Sequence, residues 1–148
     1  MKGEVIMGRI TAIRKFATIA IGEKVIIPRD RNDWGMNLND RSPRLCLPMD
    51  TQKNDEEDKR FRKFFISLFP AGQGFANVTI SILHELGHWA TKSEVDWDEY
   101  WAEADNTFGW DYFNLKAERM ATDWAINWLS DPENRRIAKA FEVEYFGH

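Results

Sequence analysis

The spacing of apolar positions changes along the chain, from short β-branched runs in the first half to a helical period in the second. Ala17-Thr18-Ile19-Ala20-Ile21 and Lys24-Val25-Ile26-Ile27-Pro28 stand on either side of Gly22-Glu23, a pattern that predicts a hairpin. Arg44-Leu45-Cys46-Leu47-Pro48 predicts a further short strand, which Pro48 confines to a strand end or a sheet edge. Between them, Arg29 to Ser42 is polar and holds Asn32, Asp33, Gly35, Asn37, Asn39 and Asp40, which predicts a loop.

From Thr51 to Arg62 the chain is dense in mixed charge and passes into Phe61, Phe64, Phe65 and Leu68, spaced to share one helical face. Pro70-Ala71-Gly72-Gln73-Gly74 breaks that helix. In Phe75 to Ala90 a helix would place Phe75, Val78, Ile82, Leu86 and Trp89 on one face and Ile80 and Leu83 elsewhere. A helix apolar on several sides is a central one. Asn114 to Leu129 predicts the next helix, and Asp131-Pro132 starts a last one that turns Ile137, Phe141 and Tyr145 inward. The pattern predicts one α+β domain over residues 1–148, with a small N-terminal antiparallel sheet, a central helix and C-terminal helices.

Composition narrows the function classes. Seven Trp and ten Phe among 148 residues argue for a folded core. A net charge of −4 gives no general attraction to nucleic acid or to acidic membranes. The basic group Lys59, Arg60, Arg62 and Lys63 is offset by Asp55, Glu56, Glu57 and Asp58. Lys2, Glu4, Arg9 and Arg14 interrupt the apolar runs near Met1, and no run approaches a membrane span. The single Cys46 has no partner in the chain for a disulfide, and in Leu45-Cys46-Leu47 it reads as a buried, inert thiol. The expected compartment is cytoplasmic. No pattern in the chain selects an oligomeric state.

Candidate chemistry centres on His84-Glu85-Leu86-Gly87-His88. Two histidines four residues apart lie one above the other on a helix, so both imidazoles reach a single tetrahedral ion, for which Zn2+ is the natural choice. Glu85, next to the first ligand, points to one side of that ion and is the candidate base that activates a water made acidic by zinc. The bland alternative is a pair of satisfied core histidines.

A zinc hydrolase needs a third protein ligand. His148 is a weak candidate, and Glu94 lacks the glycine three residues beyond His88 that would turn the chain tightly, since that position is Thr91. Glu118 is better placed. It sits on the next predicted helix, followed by Ala121 and Ala125, small residues that allow close approach to the metal helix. Thr122, one turn further on, shares its face and can hydrogen-bond a ligand. The alternative for Glu118 is an exposed carboxylate paired with Arg119 or Lys116.

With these residues the chain resembles the ImmA/IrrE family of metallopeptidases, in which a His-Glu-x-x-His helix is followed by a helix of the form Glu-x-x-Ala-Asn/Asp-x-Phe-Ala. Here the second element reads Glu118-Arg119-Met120-Ala121-Thr122-Asp123-Trp124-Ala125, with Thr122 at the Asn/Asp position and Trp124 at that of Phe. The resemblance covers about residues 75 to 130. It implies a zincin-like fold, His84, His88 and Glu118 as zinc ligands, Glu85 as catalytic base, and a specific regulatory DNA-binding protein as substrate. Plasmid anti-restriction proteins with a zincin-like domain show a similar His-Glu-Leu-x-His-Trp stretch, here completed by Trp89.

Ser93 to Leu115 has no Lys or Arg but seven acidic residues and seven aromatic ones. Joining the two ligand helices, it reads either as a wall or lid of the cleft that selects basic and apolar substrate side chains, or as an acidic helix whose aromatics complete the core. Asp96-x-Asp98-Glu99 lacks the glycine and spacing of a calcium loop. Tyr100 and Tyr112 are both candidate donors to an oxyanion. The acidity argues against nucleic acid across the active face. The expected function is zinc-dependent hydrolysis of a peptide bond in a protein substrate. The competing expectation is a non-catalytic anti-defence or protein-binding module of a mobile element with a structural or vestigial zinc site.

Overall fold

A computed structural model describes residues 2–147, with side chains from Gly8 onward; His148 lies outside the described residues. The chain runs α1 (Lys2–Ile21), β1 (Gly35–Asn37), β2 (Arg44–Cys46), α2 (Glu56–Leu68), α3 (Asn77–Thr91), α4 (Trp97–Ala104), α5 (Gly109–Phe113), α6 (Lys116–Leu129) and α7 (Pro132–Phe146). Tight 3-10 turns fill Pro70–Gly74 and Lys92–Glu94. The architecture is α+β, mostly helical with one small antiparallel sheet. No helix among the described residues is long and apolar enough to cross a membrane.

The expected hairpin at Ala17–Ile21 and Lys24–Ile27 does not form. The first run is the end of α1, because Ile13, Phe16, Ala17 and Ala20 recur at helical spacing and the first three are fully buried. Phe16 stacks on Phe141 of α7, with ring centroids 4.5 Å apart, so burial on one helical face overrides the strand preference of the β-branched residues. Gly22 ends α1 with φ of 82°, a conformation that other residues rarely adopt, while the Thr18 hydroxyl accepts a hydrogen bond from the Val25 amide at 3.1 Å. The second run contributes a single bridge, Ile26 beside Arg44. The sheet instead pairs β2, at the predicted place, with β1, which lies inside the stretch read as a loop. Their register sets Met36 opposite Leu45.

α2 starts with a capping box, in which the Asp55 side chain accepts from the Asp58 amide and Asp58 returns the bond to the Asp55 amide. Arg62 is turned onto the following loop, donating to the carbonyls of Phe75 at 2.8 Å and Gln73 at 3.2 Å. That use removes one member of the basic group from any surface role.

α3 is central, as its apolar spacing predicts: Val78, Ile80, Ile82, Leu83, Leu86 and Trp89 are all buried. Its N-cap residue, Ala76, has no side chain to satisfy the first amides. Glu142 of α7 takes that role from across the core, accepting from the Ala76 amide at 2.7 Å and from the buried Thr79 hydroxyl at 2.5 Å. α6 packs along α3, and the point of closest approach is Gly87. A Cβ there would stand 2.3 Å from the carbonyl oxygen of Ala121 and 2.8 Å from its Cα. Ala117, Ala121 and Ala125 are all buried in this seam.

Candidate metal centre

The seam brings three of the four expected site residues into direct contact. His84 and His88 project from the same face of α3, and Glu118 from the first turn of α6. Glu118 Oε1 is 3.0 Å from His84 Nε2 and 3.3 Å from His88 Nε2. All three side chains are buried, Glu118 to 6 % exposure. Glu118 is therefore not the solvated carboxylate of the bland alternative. Arg119 pairs elsewhere, with Asp123 and Asn114, both at 3.0 Å.

Three donor atoms converging at this spacing fit a tetrahedral ion, whose ligands stand about 3.3 Å from one another when each bond is about 2.0–2.1 Å. The outer nitrogen of His84 is held as such a site requires: Nδ1 lies 3.1 Å from the Thr122 hydroxyl, as the one-turn spacing from Glu118 predicts. His88 Nδ1 is buried with no hydrogen-bond partner. The donor set, two imidazoles and a carboxylate, suits zinc.

Glu85 lies beside this group, with its carboxylate within 4.8 Å of the histidine nitrogens and facing a cleft of about 220 Å³. Glu118 is in contact with both imidazoles, and Glu85 completes with the two histidines a group whose ligand atoms all lie within 4.8 Å of one another. Phe61 and Phe113 form the apolar flank of the cleft, Asp33, Glu57 and Asp58 an acidic rim. Burial raises the Glu85 carboxyl above the ordinary range, against the pull of both histidines. For Glu118 burial acts in the same upward direction, but hydrogen bonds from His84 and His88 outweigh it and hold the carboxyl well below the usual value. Burial would lower His88, yet the Glu118 carboxylate reverses the sign and its pKa is raised.

The segment 93–115 divides between its two expected roles. Phe113 is buried against Phe61 and Phe64, whereas Trp101, Phe108 and Trp110 are exposed, at 62 %, 78 % and 47 %. Tyr100 and Tyr112 both turn toward Glu118. The Tyr100 hydroxyl donates to Glu118 Oε2 at 2.6 Å and stands 2.9 Å from the Tyr112 hydroxyl, which is itself 3.4 Å from Oε2. Tyr112 also lines the cleft. Its phenol is raised to about 12, by burial first and then by the charge of Glu118. Sequence reasoning named both tyrosines but could not find the contact with Glu118, because it depends on how the irregular link between α4 and α5 brings both hydroxyls to one place.

The remaining candidates take structural roles. Glu94 is exposed in the turn after α3. Asp96 caps α4, accepting from the amides of Asp98 and Glu99 at 3.1 Å. Cys46 is half-buried, and its thiol is raised by burial and then by Glu85, which disfavours the thiolate. Lys53, which sequence reasoning passed over, lies on the cleft wall, bridged to Asp58 at 3.2 Å and to Asp33 and Asp55 at 3.5 Å. No protein-family model, curated protein or solved structure matches this chain.

Proposed function

We propose that the protein is a zinc-dependent peptidase of the zincin type, in which His84, His88 and Glu118 hold the metal and Glu85 is the general base. The observation that supports this most is the convergence of His84 Nε2, His88 Nε2 and Glu118 Oε1 beside an open cleft that the Glu85 carboxylate lines. Bound there, zinc would polarise a peptide carbonyl and acidify water. Glu85 takes a proton from the attacking water on its carboxylate and returns it to the nitrogen of the leaving amine. Its raised pKa makes it a stronger base than an exposed carboxylate.

Tyr112 is the oxyanion donor. It lines the cleft, and with a pKa near 12 it keeps its proton throughout the working range and can turn its O–H from Tyr100 to a carbonyl oxygen. Phe61 and Phe113 exclude water from one side. The acidic rim of Asp33, Glu57 and Asp58 favours a basic side chain in the substrate and repels nucleic-acid phosphate. The substrate is a protein or peptide with a narrow recognition sequence, and the working compartment is the cytoplasm.

Elemental analysis of the purified protein tests the site: one zinc per chain is expected, absent in His84→Ala and weakened in Glu118→Ala. Glu85→Gln should keep the metal and lose hydrolysis of a peptide library by about a hundredfold or more. Full hydrolysis in Glu85→Gln sinks the assignment. A second reading is favoured by the exposed Trp101, Phe108 and Trp110 on an acidic surface, which suit a protein-binding module. Survival of the cellular function in Glu85→Gln would select it.

A further inference from the structure

We propose that Tyr100 is a positioning residue that holds Glu118 as a one-oxygen ligand and so keeps the bound metal four-coordinate. The inference rests on the metal-site reading above. It starts from the unequal treatment of the two carboxylate oxygens. Oε1 makes the contacts with both histidine nitrogens, at 3.0 and 3.3 Å, while Oε2 accepts the Tyr100 hydroxyl at 2.6 Å and has the Tyr112 hydroxyl at 3.4 Å.

The direction of that bond follows from the charges. Glu118 is an ionised carboxylate and has only acceptors, so Tyr100 donates. The Tyr100 oxygen then accepts from Tyr112, whose hydroxyl is 2.9 Å away. Tyr112 has a second acceptor in reach, Oε2 itself at 3.4 Å, so both phenols gather on the same carboxylate oxygen. A phenol on a carboxylate is a short, charge-assisted bond, about twice as strong as a neutral one. The bond occupies one lone pair of Oε2 and holds the carboxylate against the rotation that would carry that oxygen onto the metal. With that oxygen committed, two imidazoles and one carboxylate oxygen leave a single open position at a tetrahedral ion.

The placement of Tyr100 supports the assignment. It sits on α4, a helix that buries none of its own residues, and its neighbours Trp97 and Trp101 are partly or largely exposed. Its ring is half-buried and its hydroxyl reaches inward to one ligand oxygen. The two tyrosines differ in degree: Tyr100 makes the closer bond to Oε2, at 2.6 Å, while Tyr112, 3.4 Å from the same oxygen, also lines the cleft.

The test uses cobalt(II) in the full-length metal-free protein, since four-coordinate cobalt absorbs visible light several-fold more strongly than five-coordinate cobalt. Wild type should show the intense four-coordinate bands. Tyr100→Phe should lose most of that intensity as Oε2 joins the metal, and its zinc affinity, read by chelator competition, should fall about 10- to 100-fold. Identical cobalt spectra in the two proteins overturn the inference, whatever happens to affinity. The infrared carboxylate bands of the zinc-loaded wild type give a check that needs no variant. A wide splitting of the Glu118 bands, assigned by isotope labelling, supports one-oxygen binding, and a narrow splitting overturns it. A wild-type protein that takes up neither zinc nor cobalt overturns the peptidase reading and this inference together.

Discussion

The two sides of the candidate centre are built by different means. The α3–α6 seam is backbone against backbone, with Gly87 in contact with Ala121 and every facing side chain buried. The α4–α5 cover meets Glu118 through phenol hydroxyls, and its apolar residues are divided between core and solvent. The seam fixes where His84, His88 and Glu118 stand. The cover adjusts how one of them is presented. A seam of this kind moves only as a unit, whereas hydrogen bonds from a short helix can open locally.

The sharpest way to break this comparison is Gly87→Ala. The new methyl meets backbone, so the helices must separate, and a loss of about 3 kcal/mol in denaturant unfolding is expected, with loss of metal binding. A stability change below about 1 kcal/mol would show that the seam is not tight.

Metal affinity should fall with acid, by about tenfold per pH unit for each proton displaced from a ligand, as competition titrations between pH 5 and 8 would show. The sign in the metal-free protein is different. His88 is raised in the folded state, so its stabilisation is complete below the ordinary histidine value of about 6.5 and is lost as pH rises through the raised value. Glu118 is lowered, so its stabilisation is present above about 4.3 and is lost as pH falls through the depressed value. Both describe one contact, which stabilises the metal-free protein most at about pH 5–6. A stability profile that climbs steadily from pH 5 to 8 without metal would contradict this.

Glu142→Ala should cost about 1–2 kcal/mol by removing the cap of α3, measured by thermal unfolding. Trp101→Ala on the cover should stay within about 0.5 kcal/mol. Amide exchange should separate the same two regions, faster in α4 and α5 than in α3 and α6. Equal protection of both would remove the distinction.

The seam was also the part most open to reading from sequence. Histidines at helical spacing, apolar residues on every side of one helix and small residues after Glu118 each carry a short-range signal, and the contacts among His84, His88, Glu118 and Thr122 follow from them. The N-terminal region was not open in the same way. Ala17–Ile21 alone reads as a strand, although Ile13 and Phe16 before it set a helical period and packing on α7 decides its form. β1, three residues of Gly-Met-Asn, has no pattern of its own and exists because Leu45 and its neighbours offer a partner. The tyrosine contacts depend on the irregular link between α4 and α5, which leaves no periodic trace.

The contact at Gly87 also bears on how such a sequence can change over generations. Most tight contacts join two side chains, so a larger residue on one side can be accommodated by a smaller one opposite. Here the opposing atoms are the carbonyl and Cα of Ala121, which every amino acid carries. No substitution at the facing position can restore the fit. Descendants that keep His84, His88 and Glu118 together must keep the glycine, while Trp101, Phe108 and Trp110 are free to drift with whatever the surface meets.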